Sequence, residues 1–173
     1  MNGVQFPAGW YVELLSKAHN RRKFSSGHLD VDRWFKQTAF QSQKKHLTVT
    51  KVLLDATGSV AGFYSLATSQ IDFSDLPPEI SKSLPKRLLP VAVLAWFGVD
   101  YRQQGQGIGK RLLATALRDC YEASDTFAFI AVILDCIDTS AKHFYRQFHF
   151  AELPGYPLRL FVPFRLLKEM MHG

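Results

Sequence analysis

The stretch that most restricts how this chain can fold runs from Val91 to Lys110. Nine almost wholly apolar residues, Val91–Val99, precede Gln104-Gly105-Gln106-Gly107-Ile108-Gly109-Lys110, and an amphipathic pattern follows. An apolar run of that length reads as a strand buried on both faces. Glycines between it and a helix free the backbone of large side chains, so consecutive N–H groups can converge on an anion and the helix dipole adds favourable charge. Gln104, Gly105, Gln106, Gly107, Ile108, Gly109 and Lys110 are therefore a candidate cradle for the pyrophosphate of a nucleotide-like cofactor. The chain must wind as an α/β protein around that strand, turn and helix.

Glycine spacing narrows the cofactor. A dinucleotide fingerprint needs Gly-x-Gly-x-x-Gly, and Lys110 occupies the slot of its third glycine. A P-loop needs Gly-Lys followed by Ser or Thr, whereas Arg111 follows Gly109-Lys110. What remains is Gln-x-x-Gly-x-Gly, from Gln104 to Gly109, after a strand ending in Val99-Asp100. This resembles the acetyl-CoA-binding motif of the GNAT acetyltransferases. The resemblance implies acetyl-CoA as co-substrate, with Phe97 and Val99 on the strand alongside it.

Size and charge are consistent with one enzyme domain spanning 1–173. The chain has 173 residues, 47% of them hydrophobic, enough for a real core and too many for a disordered chain. No apolar run approaches the roughly 18–20 residues of a membrane span. Met1 to Lys23 lacks the apolar stretch of a signal peptide, so a cytoplasmic location is expected. Cys120 and Cys136 suggest no disulfide framework and read as buried small hydrophobes. Lys and Arg outnumber Asp and Glu by 21 to 15, a formal charge of +6. The basic residues cluster at Arg21-Arg22-Lys23, Lys44-Lys45, Lys82 to Arg87 and Lys110-Arg111. A solvated basic surface and a field attracting a polyanion are both open on charge alone.

Periodicity supports alternating strands and helices. Residues 5–23 are ambiguous. Asp30 is placed to cap a helix to about Ser42, with Trp34, Phe35, Thr38 and Ala39 on one face. Strands are expected near His46–Leu54 and Val60–Ser69, joined by the turn signal Asp55-Ala56-Thr57-Gly58. Phe73 to Pro90 reads as a connection interrupted by Pro77-Pro78, Pro85 and Pro90, with a short helix at Glu79–Leu84. From Lys110 a helix places Leu112, Leu113, Ala116, Leu117, Cys120 and Tyr121 on one face. Ala128–Asp135 is the next strand, Asp138 or Thr139 caps a helix over Ser140–Phe148, and Ala151–Pro163 holds the last strand or strands. Phe164–Met171 reads as a helical tail.

A second motif, Ala141-Lys142-His143-Phe144-Tyr145-Arg146-Gln147-Phe148-His149-Phe150, resembles the Ala-x-x-Phe-Tyr…Gly-Phe segment of GNAT enzymes. There the tyrosine points at the cofactor sulfur. Amine attack on a thioester expels a thiolate, and a phenol with a pKa near 10 can protonate it. Tyr145 is the candidate catalytic residue, and packing of the helix by Phe144-Tyr145 is the structural alternative. His149 replaces the usual glycine, so either a residue with a side chain takes the left-handed backbone there or the helix exit differs.

Leu29 to Gln43, Gly62 to Ala67, Leu76-Pro77-Pro78-Glu79 and Leu89 to Leu94 extend the resemblance to the GNAT toxins of bacterial toxin–antitoxin modules. It covers roughly Phe24 to Phe164. It implies a central mixed sheet of about six to seven strands flanked by helices on both faces. It also implies acetylation of the α-amine of aminoacyl-tRNA, translation inhibition, a DNA-binding antitoxin and a possible homodimer. One departure is Trp96, where the family usually has an arginine. An α-amine near pKa 7.7–8.0 is partly neutral at pH 7, so such an acceptor needs no dedicated base. An acetyltransferase of small amines or protein N-termini is the alternative. Arg21, Arg22, Lys44, Lys45, Lys86 and Arg87 are candidates for the tRNA backbone. The six histidines show no metal-ligand spacing, and no metal is expected.

Overall fold

The computed structural model describes residues 3–173, so the first two residues of the 1–173 span lie outside it. Seven strands form one sheet: β1 (Tyr11–Leu14), β2 (Val49–Leu54), β3 (Val60–Asp72), β4 (Leu88–Val99), β5 (Ala131–Asp135), β6 (Ala151–Leu153) and β7 (Tyr156–Pro163). Their spatial order is β1-β2-β3-β4-β5-β7-β6. β4 and β5 are parallel, with Ala92 opposite Val132 and Val93 opposite Ile133. The β1–β2, β2–β3, β5–β7 and β6–β7 pairs are antiparallel. The helices are α1 (Leu29–Gln37), α2 (Ala39–Lys44), α3 (Pro78–Ser81), α4 (Ile108–Ala123), α5 (Thr139–Arg146) and α6 (Phe164–His172). This is the mixed, helix-flanked sheet expected.

The described chain divides into two compact units interleaved in sequence. One comprises residues 3–67 and 94–117, the other 68–93 and 118–173. The first has a core of Leu15, Phe24, Val31, Phe35, Ala39, Val52, Leu54, Val60 and Phe63. Phe35 and Phe63 stack with centroids 4.0 Å apart, and Phe24 meets both rings edge-on. Neighbouring side chains on a strand point to opposite faces. Phe63 faces α1, while a Cβ at Gly62 would lie 2.8 Å from Leu112 Cδ2 in α4. Helices thus cover both faces of β3. The second unit buries Ile71, Leu76, Leu89, Val91, Ala131, Ile133, Leu153 and Phe161.

Several expectations need correcting. Asp30 does not cap α1; His28 holds the cap position with no side-chain bond, and Asp30 lies in the first turn. The local acceptor role falls to buried Asp32, whose Oδ1 takes the Ser26 N–H at 2.9 Å and the Ser26 hydroxyl at 2.7 Å. The expected single helix to Ser42 is two, broken at Thr38 (φ −120°). Pro90 lies inside β4 rather than ending regular structure: it needs no donor there, and its carbonyl accepts from Ile130 N–H at 2.9 Å. The ambiguous N-terminal region contributes β1. The cap of α5 is Asp138, accepting from Ala141 N–H at 2.8 Å.

Candidate functional site

In the first unit, β4 runs into the glycine-rich turn through a charged staple. Asp100 is 1% exposed and accepts from Ser25 N–H at 3.2 Å and Arg102 N–H at 3.0 Å. The Arg102 guanidinium adds Nε at 2.8 Å and Nη2 at 3.1 Å, one on each carboxylate oxygen. Burial alone would raise the Asp100 pKa, but these donors and the Arg102 charge hold it below the usual carboxylate range. Four residues on, Gln104 Nε2 donates to the Ser26 and Val99 carbonyls, both at 2.9 Å. The side chain of this predicted cofactor residue therefore ties the loop to the strand end.

Beyond Gln104 the chain must turn twice through left-handed backbone, and Gly105 (φ 79°) and Gly107 (φ 78°) allow it. Both are exposed, with open space where a Cβ would stand. The first bond recorded at this end of α4 runs from Arg111 N–H to Gly107 C=O at 3.2 Å. The N–H groups of Ile108, Gly109 and Lys110 thus lie ahead of the helical ladder, where an anion can accept them. Gln106 is exposed, and the exposed Lys110 and Arg111 add positive charge. Ile108 is 1% exposed and anchors the helix in the core. Phe97 and Val99 lie two apart on β4, so their backbone N–H groups point to the same edge.

Trp96, at the departure from the family pattern, stacks on Trp34 of α1 with centroids 4.9 Å apart and planes 12° from parallel. Trp34 stacks in turn on Phe63 at 6.4 Å. This aromatic pair was not foreseen; helical spacing put Trp34 with Phe35 but gave no partner in β4. The Asp100–Arg102 staple was also missed, although an Asp followed two residues later by a donor is an ordinary turn signal.

The second unit positions Tyr145. The capped helix α5 sets it against Phe144 (5.2 Å) and Phe150 (6.0 Å), and it is 9% exposed. Burial, with the neighbouring Cys136 adding to it, pushes the phenol pKa well above its usual value, so Tyr145 stays protonated. Burial likewise pushes the Cys136 thiol up to about 11, too high for a nucleophile at neutral pH. His149 adopts the left-handed conformation (φ 64°) that its place in the motif requires. Lys142 of α5 pairs with Glu152 on β6 and fixes the helix against that strand. His143, next to Phe144, is exposed. Among the described residues no group of three or more His, Cys, Asp and Glu is placed to hold a metal ion, and no helix is long and apolar enough to cross a membrane.

A strand, a left-handed glycine turn and a helix with unbonded N–H groups at its start form an arrangement that can receive an anion. A family model described as acetyltransferase (GNAT) domain matches residues 45–152, and the chain belongs to this GNAT acetyltransferase family. The protein named "Probable toxin TacT" from Sinorhizobium fredii is 33% identical over 162 residues, 88% of this chain and 90% of its own. A "tRNA-acetylating toxin" of Mycobacterium tuberculosis is 30% identical over 148 residues, 86% of this chain and 88% of its own. The fold matches that of AtaT complexed with acetyl-methionyl-tRNAfMet at a TM-score of 0.86 and 21% identity, covering 94% of this chain and 99% of that one.

Proposed function

We propose that the chain is an acetyl-CoA-dependent toxin that acetylates the α-amine of aminoacyl-tRNA in the cytoplasm and so blocks translation, working as a single acetyltransferase domain. The backbone amides from Gly105 to Lys110, ahead of the α4 ladder, hold the pyrophosphate of the acetyl donor. Gln104 fixes the loop that presents them. N–H groups of Phe97 and Val99 polarise the thioester carbonyl. The acceptor nitrogen bonds to the acetyl carbon, the carbon–sulfur bond breaks, and Tyr145 gives its phenolic proton to the departing thiolate. The proton lost by the acceptor nitrogen goes to solvent, from which the phenolate recovers its own.

Tyr145 carries the chemical part of this reading. Its burial keeps the proton in place until it is needed. The burial that raises the phenol pKa also makes Tyr145 a weaker acid, so its proton passes only as the sulfur gains full thiolate charge beside it. Two toxin relatives, one of them named for tRNA acetylation, and the +6 net charge support charged tRNA as the acceptor. A DNA-binding antitoxin is the partner such a toxin requires, and a homodimer fits the same pattern.

The test is incubation with labelled acetyl-CoA and a pool of charged tRNAs, with uncharged tRNA, free amino acids and peptides as controls. Label confined to charged tRNA, falling steeply as salt rises, is expected. Label on free amines or peptides, insensitive to salt between about 50 and 200 mM, would leave an acetyltransferase of small amines or N-termini in its place.

A further inference from the structure

The first unit contains a cavity of about 470 Å³ that the acetyl-transfer chemistry does not use, lined by Lys17, His19, Arg21, Arg22 and Lys36 among others. Four of these five carry permanent positive charge. The fifth, His19, is already satisfied: Nδ1 accepts from Ser16 N–H at 3.0 Å and Nε2 meets Glu13 Oε1 at 2.5 Å. Glu13 is thus engaged by the histidine rather than by the cations. Among the described residues no carboxylate lies within ion-pair distance of Lys17, Arg21, Arg22 or Lys36.

Arg21 is held in place. Its Nη1 donates to the Phe35 carbonyl at 2.5 Å, and the guanidinium lies 5.7 Å over the Phe35 ring. A guanidinium has five N–H donors, so four remain for a ligand. The chain from Ser16 to Phe24 turns back on itself through His19 N–H to Ser16 C=O, Arg22 N–H to Asn20 Oδ1 and Phe24 N–H to Arg21 C=O. Successive cations are thereby brought to one wall, and Lys36 of α1 supplies the other. Like charges gathered in a concavity repel one another until an anion enters. Planar, fork-shaped donors flanked by ammonium groups suit a tetrahedral phosphate with two free oxygens.

We propose that this cavity binds the phosphodiester backbone of the RNA acceptor, a docking point for the nucleic acid separate from the glycine-rich loop. The proposal rests on the aminoacyl-tRNA reading above and assigns part of that substrate to named residues. An acidic peptide, or the phosphates of acetyl-CoA, offers related anions; the concentration of cations with no carboxylate among them favours the polyanion, whose successive phosphates repeat the charge.

The test compares wild-type protein with the triple variant Lys17→Ala, Arg22→Ala, Lys36→Ala. Arg21 stays intact because its bond to Phe35 belongs to the fold. Affinity for uncharged tRNA is measured by fluorescence anisotropy between about 50 and 200 mM salt, with acetyl-CoA affinity and thermal midpoint as controls. Each phosphate contact is worth about 8-fold at 0.1 M salt, so affinity should fall by on the order of 10²-fold and the log–log salt slope by about 2–3. Acetyl-CoA affinity and the thermal midpoint should not move. Unchanged tRNA affinity and slope overturn the proposal, whether or not the variant has lost an acidic peptide partner. So do a wild type that binds no tRNA and a loss of acetyl-CoA affinity in step with tRNA, which would give the cavity to the cofactor. A wild type that binds tRNA through these residues yet transfers no label to charged tRNA would instead refute the proposed reaction and leave the cavity standing.

Discussion

Gly62→Ala is the substitution whose effect is best fixed by geometry. The added Cβ would lie 2.8 Å from Leu112 Cδ2, 3.1 Å from the Gly98 carbonyl oxygen and 3.8 Å from Val99 Cα. Carbon atoms pack best at about 3.5–4.0 Å, so Leu112 would have to retreat by roughly 0.7–1.2 Å. It is 0% exposed, so its side chain retreats into packed surroundings, and the Gly98 carbonyl oxygen at 3.1 Å limits movement of the new methyl in the other direction. Overpacking of this kind costs about 1–3 kcal/mol, offset by about 0.4–1 kcal/mol because alanine restricts the unfolded chain. The net loss is about 0–2.6 kcal/mol with its centre near 1.3, a fall in Tm of roughly 3–5 °C at that centre for a chain of this length. Leu112→Ala alone should cost about 2–5 kcal/mol by leaving a cavity. The double variant puts a methyl at the mouth of that cavity and should cost less than the sum, by about 0.5–3 kcal/mol. Chemical denaturation of the four proteins measures the cycle. An unchanged or raised Tm in Gly62→Ala, or strictly additive losses, would refute the argument that β3 and α4 meet at a distance only glycine permits. Because α4 carries the glycine-rich loop at its start, acetyl-CoA affinity should fall with Gly62→Ala and recover in part in the double variant.

Tyr145→Phe keeps the ring between Phe144 and Phe150 while removing the proton, so turnover should drop by about 10²–10⁴-fold with acetyl-CoA affinity nearly unchanged in a binding titration. The Cys120 thiol is pushed up to about 12, chiefly by burial. Its folded pKa is raised, so its contribution to stability is complete below the unfolded value of about 8.5–9 and is lost as pH climbs toward 12. Urea midpoints between pH 8 and 11 should fall less steeply in Cys120→Ala than in wild type. His149→Gly relieves a left-handed backbone (φ 64°) and should stabilise the protein by up to about 1 kcal/mol in the same assay. Asp100→Asn leaves the Arg102 guanidinium without its charged acceptor and should lower the urea midpoint.

Elements defined by long apolar runs or by caps were legible in the sequence. β4, β5, α4 and α5 arise from dense hydrophobic patterns, and the Asp138 cap follows from a short acceptor just ahead of a helix. The glycine loop was legible because left-handed backbone at Gly105 and Gly107 leaves so few residues to choose from. β1 was not, because its burial is irregular and its register is imposed by β2. The break at Thr38 was hidden because both flanking segments share one hydrophobic face. Pro90 misled because proline is a poor strand residue in general, yet is acceptable where its nitrogen needs no partner. Within the candidate site, the residue types were readable while their partnerships were not. Gln104 was placed in the cofactor loop by its motif, while the bonds of its Nε2 to Ser26 and Val99, 78 and 5 residues away, are set only by the fold. Trp34 and Trp96 meet across 62 positions, a pairing only the folded chain sets.

The interleaving of the two units acquires a meaning when the chain is considered during its own synthesis. Everything required by the unit with the glycine-rich loop has been polymerised by Leu117, whereas the unit with Tyr145 draws on residues as far as 173. A chain polymerised only to Leu117 therefore holds every residue of the unit with the glycine-rich loop and lacks Tyr145. Under the proposed reaction, a chain that ends before Tyr145 has no phenol to protonate the departing thiolate.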